Sequence, residues 1–332
     1  MKLLRKFLFP FVPLYYLITC LRNKLYDCNI LKSKSYAIPI LCVGNLSVGG
    51  TGKTPMIEYL IRLLSDKKPA TLSRGYKRST QGFLLADDDT EVHEIGDEPY
   101  QFKQKFDDVL VAVDEDRQRG IERLMQLESA PDIILLDDAY QHRKVKAGLN
   151  VLLTTYDNLY IHDWLLPTGN LREPRSGAKR ADIVVVTKCP TTLSVSEKNK
   201  ITEALKLQPN QALFFSSIVY DDVVFNETAS LDLKELKKQT FTLVTGIANA
   251  QPLVDFLKNQ GLSFEHLNFG DHHNFSAAEL QALEEKPLIV TTEKDFTRLE
   301  NRLDHAALYY LPITIKVDSA AAFETAIRNF VP

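Results

Sequence analysis

The stretch LCVGNLSVGGTGKTP, Leu41 to Pro55, decides how the rest of the chain is read. The apolar run Ile38–Val43 predicts a short buried strand. From Lys53 onward, Met56, Ile57, Leu60, Ile61 and Leu64 recur at helical spacing. Strand, glycine-rich turn, Gly-Lys-Thr and helix together are the context of a phosphate-binding P-loop. Gly49, Gly50 and Gly52 let backbone N–H groups close in on a polyphosphate, and the helix N-terminus adds partial positive charge. Ser47, Val48 and Thr51 complete the loop. Lys53 is spaced to reach the β- and γ-phosphates of a nucleotide, and Thr54 to place its hydroxyl on Mg²⁺. Ser47 stands where the usual G-x-x-x-x-G-K-[ST] pattern has its first glycine.

The 332 residues are 45% hydrophobic and 25% charged, with a formal net charge of -3. That composition is globular, with length for one large or two ordinary domains. Without a basic excess, nucleic acid is not expected as a partner. Cys20, Cys28, Cys42 and Cys189 show no C-x-x-C spacing, so neither a zinc site nor a disulfide framework is indicated, and a reducing compartment is expected.

Residues 1–29 differ from the rest. Lys2, Arg5 and Lys6 precede an apolar, aromatic run from Phe7 to Cys20, closed by Arg22 and Lys24. A spanning helix needs about 20 apolar residues, and this run is shorter and carries Pro10 and Pro13. It lacks the small-x-small site of a secretory signal. The segment is expected to lie in a membrane interface, with an ordinary helix docked on the core as the alternative.

Strand-and-helix alternation continues: strand Ala70–Leu72, strand Val109–Val113, helix Asp116–Leu127, then Asp132-Ile-Ile-Leu-Leu-Asp137-Asp138. An apolar strand ending in two aspartates downstream of a P-loop is the Walker-B arrangement, so Asp137 and Asp138 are the expected Mg²⁺ carboxylates. Arg74 and Tyr76 follow a strand end, where ligands collect in open α/β sheets; a solvated basic loop is the alternative. By spacing alone Asp97 reads as a helix cap. Arg172 reads either as a charge stabiliser or as a surface partner of Glu173. Thr187 and Pro190 stand where a guanine-reading Asn-Lys-x-Asp would have Asn and Asp, which argues against guanine.

The pattern weakens near Asp221. The expected architecture is therefore a membrane-interface segment (1–29), a P-loop NTPase-like α/β/α sandwich (30–220) and a smaller α/β domain (221–332). In the last, Asp271-His272-His273 and Thr292-Glu-Lys-Asp295 each follow a strand. On spacing, His272 is as consistent with a turn residue as with catalysis.

Taken together, Gly44–Pro55, Ser73–Tyr76, Gly96–Pro99, Asp137–His142, Leu171–Pro174, Asp271–His273 and Thr292–Asp295, in this order, resemble the lipid A 4′-kinase (tetraacyldisaccharide 4′-kinase) family over the whole chain. Ser47 resembles that family's own P-loop variant. The resemblance implies transfer of the γ-phosphoryl group of ATP, with Mg²⁺, to the 4′-hydroxyl of an acylated glucosamine disaccharide 1-phosphate. It implies a peripheral enzyme at the cytoplasmic face of a Gram-negative inner membrane. It also implies Asp97 as general base working with His272, beside Lys53 and Arg172 in catalysis, with Arg74 and Tyr76 toward the lipid substrate. No obligate protein partner is inferred. A P-loop GTPase or ATPase switch and a nucleotide-dependent membrane adaptor are the rival readings.

Overall fold

The computed structural model describes residue 5 and residues 7–271, 273–303 and 307–331. Strand β1 (Ile40–Asn45) lies near the middle of a nine-stranded sheet. Across that sheet the order is β15 (Ile313–Val317), β8 (Ala212–Tyr220), β7 (Ile183–Thr187), β6 (Leu149–Thr155), β1, β5 (Ile133–Asp137), β2 (Pro69–Ser73), β4 (Leu110–Val113) and β3 (Leu84–Leu85). The two edges, β15 and β3, pair antiparallel, and all strands between them run parallel.

A parallel sheet buried on both faces needs apolar side chains on both, and β1 supplies them alternately. Leu41 and Val43 face α2 (Lys53–Leu63), α4 (Asp97–Lys105) and α11 (Ala320–Phe330), packing with Met56, Leu60, Phe102, Phe323 and Ile327. Ile40 and Cys42 face the other layer, with Ile121 and Leu124 of α5 (Arg117–Met125) and Ile201 and Leu205 of α6 (Val195–Leu205). Each such buried leucine or isoleucine contributes about 1.5–3 kcal/mol of transfer free energy. The expected α/β/α sandwich is present.

A second sheet runs β10 (Ser230–Asp232), β9 (Val223–Phe225), β14 (Leu308–Leu311), β13 (Ile289–Thr292), β11 (Phe241–Thr245), β12 (Phe264–Asn268). The strands from β14 to β12 run parallel, while β9 pairs antiparallel with both its neighbours. The short helix α7 (Leu233–Leu236) and α8 (Gln251–Asn259) cover one face, where Leu236, Leu253 and Leu257 meet Leu243 and Val290. The other face is covered by α9 (Ala277–Glu284) and α10 (Glu293–Leu299), through Leu283, Phe296 and Leu299.

This smaller unit does not extend to the end of the chain, as a boundary at 221–332 expects. Ile313–Val317 pairs with Ser216–Tyr220 at the edge of the first sheet, and α11 buries Phe323 and Ile327 in the first core. Ile313–Val317 has the alternation of a half-buried strand, Lys316 facing out between Ile315 and Val317, but the sheet it joins is set by Ser216–Tyr220, far earlier in the chain.

At the other end, α1 (Val12–Asp27) begins with Pro13 in its first turn, a position proline tolerates because no helical N–H is lost. Val12 and Tyr15 pack on the sheet core, while Leu14, Leu17, Ile18 and Leu21 are each more than half exposed. No helix among the described residues is long and apolar enough to cross a membrane.

Candidate nucleotide and phosphoryl-transfer site

The P-loop leaves the carboxyl end of β1 and turns into α2. Gly49 (φ +111°) and Gly52 (φ +87°) occupy left-handed backbone that other residues reach only under strain. Ser47 is not among the positive-φ residues, which explains why no glycine is needed there. It forms instead an antiparallel bridge with Leu171, reinforced by Arg172 N–H donating to Leu46 O at 2.7 Å and Val48 N–H to Asn170 O at 2.8 Å. The phosphate loop and the Leu171-Arg172 segment are thus joined along their backbones.

That joining delivers Arg172. Its guanidinium donates from Nη2 to Asp138 Oδ1 at 2.7 Å and from Nη1 to Asp138 Oδ2 at 3.2 Å, and also to Asn45 Oδ1. The alternative pairing with Glu173 is not the one found: Glu173 accepts from Arg180, Asn23 and Gln141. Asn45 Nδ2 donates to Thr51 Oγ1 at 2.8 Å, so one buried amide connects the loop to Arg172. Across the sheet, Thr187 Oγ1 donates to Thr51 O at 2.8 Å. The residue in place of a guanine-reading asparagine therefore supports the phosphate loop.

The two aspartates at the end of β5 face different surroundings. Asp138 has left-handed backbone (φ +49°), uncommon without glycine, and so departs from the strand direction. Lys53 Nζ lies 3.8 Å from its Oδ1. Burial opposes its charge, but Lys53 and Arg172 outweigh burial and hold its carboxyl below the usual range. Asp137 is buried, and burial, with Asp138 and Glu98 adding to it against Lys53 and Arg117, pushes it up to about 7. Its Oδ1 is buried with no hydrogen-bond partner. An uncompensated carboxylate oxygen beside Lys53 fits a cation that arrives with the nucleotide.

Asp97 is the first residue of α4, and the preceding Gly96 (φ +91°) makes no side-chain cap. A Cβ on Gly96 would lie 2.9 Å from Tyr76 O, so the turn bearing Asp97 sits directly against the Ser73–Tyr76 loop. Arg74 and Tyr76 are exposed on that loop. Asp97 does not act as a helix cap; its carboxylate meets Arg298 of α10, whose Nε donates to Oδ2 at 3.0 Å. Beside it Lys294 Nζ donates to Glu98 Oε1 at 2.8 Å, and Lys105 contacts both Glu58 and Glu293. The Thr292–Asp295 segment therefore starts a helix that docks on α4.

His272 lies outside the described residues. Its neighbour Asp271 is near enough to act on Lys188 at the end of β7: burial lowers the Lys188 pKa, and Asp157 and Asp271 oppose that. Lys188 Nζ would stand 3.9 Å from a Cβ on Gly50, so the end of β7 faces the phosphate loop. Sequence reading gives no role to Asn45, Arg117 or Arg298. Arg117 is buried, with Nη1 donating to Asp114 O at 2.8 Å, and its charge acts on both aspartates.

A P-loop at the head of a parallel sheet, a strand-end aspartate pair and a convergent arginine define the class of P-loop nucleotide-dependent phosphotransferases. The family model for tetraacyldisaccharide-1-P 4′-kinase (LpxK) matches residues 4–332. The chain belongs to this family. It is 52% identical to the tetraacyldisaccharide 4′-kinase of Flavobacterium johnsoniae over 336 residues, covering 100% of this chain and 98% of that one. With the enzyme of that name from Bacteroides fragilis it is 47% identical, over 95% of this chain and 89% of the other. It also superposes on LpxK from Aquifex aeolicus, solved in complex with ATP, with a TM-score of 0.80 at 32% identity, over 99% of this chain and 100% of that one.

Proposed function

We propose that this protein transfers the γ-phosphoryl group of ATP to the 4′-hydroxyl of an acylated glucosamine disaccharide 1-phosphate, a step in making lipid A. The observation that carries the reading is the convergence of Lys53, Asp138 and Arg172 at the mouth of the phosphate loop. Phosphoryl transfer demands positioning and charge neutralisation more than covalent chemistry. Lys53 and the N-terminus of α2 bind the β- and γ-phosphates. Arg172, held by Asp138 and Asn45, is aimed where charge develops on the transferred group. Thr54 and the unpartnered Asp137 oxygen would hold Mg²⁺, which when bound neutralises phosphate charge and orients the oxygens. Asp97 accepts the sugar hydroxyl's proton as it attacks, with His272 assisting. Arg74 and Tyr76, on the loop touching the Asp97 turn, contact the sugar or its phosphate.

The exposed apolar face of α1 supports a peripheral position on the cytoplasmic side of the inner membrane, where a lipid acceptor is reached without leaving the bilayer. The test is transfer of labelled γ-phosphate to detergent-solubilised acceptor by wild type and Asp97→Ala. Transfer that falls about a hundredfold in the variant supports kinase and base together. Equal transfer by both removes the base. Nucleotide binding without transfer by either leaves the adaptor or switch reading.

A further inference from the structure

Arg298 belongs to the smaller unit, yet its guanidinium ends on the P-loop unit. Both Nε, at 3.0 Å, and Nη2 donate to Asp97 Oδ2. Nη1 turns the other way, donating to Asp295 Oδ1 at 3.0 Å and Gly246 O at 3.4 Å. Asp295 is itself fixed: its Oδ2 accepts from Gly246 N–H at 2.8 Å and from the Thr292 hydroxyl at 2.7 Å. Gly246 has to be glycine for this, since a Cβ there would lie 2.8 Å from Asp295 Oδ1. The Arg298 side chain is 9% exposed, that of Asp295 0% and that of Asp97 21%.

A guanidinium locked from behind by a buried carboxylate loses little further freedom when it grips a second one. Docking of α10 on α4 does not by itself call for this arrangement. Lys294–Glu98 and the Lys105–Glu58–Glu293 cluster already tie the two helices together. A buried ion pair is also a weak source of net stability, because desolvation offsets attraction. What the arrangement does provide is a fixed direction for the Asp97 carboxylate and a cation that favours its charged form, which a proton acceptor must have.

We propose that Arg298 is a positioning residue for Asp97, so that the proton acceptor is set only when the smaller unit is docked on α4. The inference rests on reading Asp97 as the general base. Completion of the site by docking would keep water from attacking a bound nucleotide before the acceptor arrives.

The test compares kcat and KM for ATP in Arg298→Ala, Arg298→Lys, Lys294→Ala, Asp97→Ala and the Asp97→Ala/Arg298→Ala double variant, using labelled ATP. Arg298→Ala is expected to lose about ten- to a hundredfold in kcat with KM for ATP within a few-fold, and Arg298→Lys to regain part of it. The double variant is expected to be no slower than Asp97→Ala alone, because one residue acts through the other. An unchanged kcat in Arg298→Ala, or losses that multiply in the double variant, would overturn the proposal. So would an equal loss in Lys294→Ala, which removes the neighbouring Lys294–Glu98 pair. Full activity in Asp97→Ala would instead remove the base reading, an outcome separate from an inert Arg298→Ala beside an impaired Asp97→Ala.

Discussion

The Tyr15 hydroxyl donates to the backbone carbonyl of Arg172 at 2.8 Å. The helix that exposes an apolar face therefore also buttresses the segment carrying Arg172. Asn23 reinforces it, donating to Glu173 at 2.8 Å, and Arg5 donates to Pro167 O at 3.0 Å. Deleting the amino-terminal segment would disturb Arg172 as well as any membrane contact. A point change is the sharper probe. Tyr15→Phe is expected to cost about 1 kcal/mol in stability. It should also lower kcat several-fold with KM for ATP unchanged, as steady-state kinetics would read. An unaltered kcat would mean the segment is held adequately by its bridge to Ser47.

Arg172→Ala is expected to reduce kcat by about a hundredfold or more, the range found when one preorganised donor to a developing charge is lost. Arg172→Lys should recover little, because an ammonium cannot span both oxygens of Asp138 and the amide oxygen of Asn45. Single-turnover transfer at saturating ATP separates this from weaker binding. A kcat within a few-fold of wild type would end the assignment.

Leu17 and Ile18 lie on the exposed face of α1 and are 62% and 58% accessible. Replacing both by aspartate should leave folding intact, since neither belongs to a core cluster among the described residues. Association with anionic vesicles is expected to fall at least tenfold in a sedimentation assay, while activity on fully detergent-dispersed acceptor is retained. Undiminished sedimentation would point to another surface.

Glu300, just after α10, has its carboxyl pushed up to about 7 by burial, with Glu227 adding to it. Its Oε1 is buried without a hydrogen-bond partner. In the unfolded chain the group titrates near 4.3. At pH 4 both states are mostly protonated and the residue is close to neutral toward stability. As pH rises toward 7 the unfolded state ionises first, and folding is progressively penalised. Glu300→Gln is thus expected to stabilise by about 1–2 kcal/mol at pH 8, allowing for partial exposure, and by nothing measurable at pH 4. Thermal melts of both forms across that range would show it. A difference independent of pH would contradict it.

The P-loop unit was legible because its signals are local. Glycines in a turn, an apolar run before it and helical spacing after it all fall within Ile38–Leu64, and the acidic strand end at Asp137-Asp138 needs only its own neighbours. The unread features depend on partners far along the chain. Nothing near Arg298 announces that it meets Asp97, 201 positions away, and nothing near Asn45 announces Arg172. The helix Glu293–Leu299 reads as a charged cluster because Glu293 and Asp295 are buried against Lys105 and Arg298 rather than against apolar partners. The resemblance implies Asp97 as base where spacing alone favours a cap; in the structure the N-cap position falls to Gly96, and the Asp97 carboxylate meets Arg298 of another helix.

The strand pair Ser216–Tyr220 and Ile313–Val317 continues past its last register pair, Asp221 N–H donating to Pro312 O at 3.1 Å. Chain exit and chain return are therefore side by side, as at the open end of a hairpin. In genetic terms the smaller unit is a cassette, some ninety residues spliced between two adjacent antiparallel strands. Replacing Asp222–Leu311 with a two-residue Asn-Gly turn would close that hairpin without displacing either strand. The phosphate-binding half would then be one uninterrupted chain, still able to hold its sheet but separated from the helix that grips Asp97.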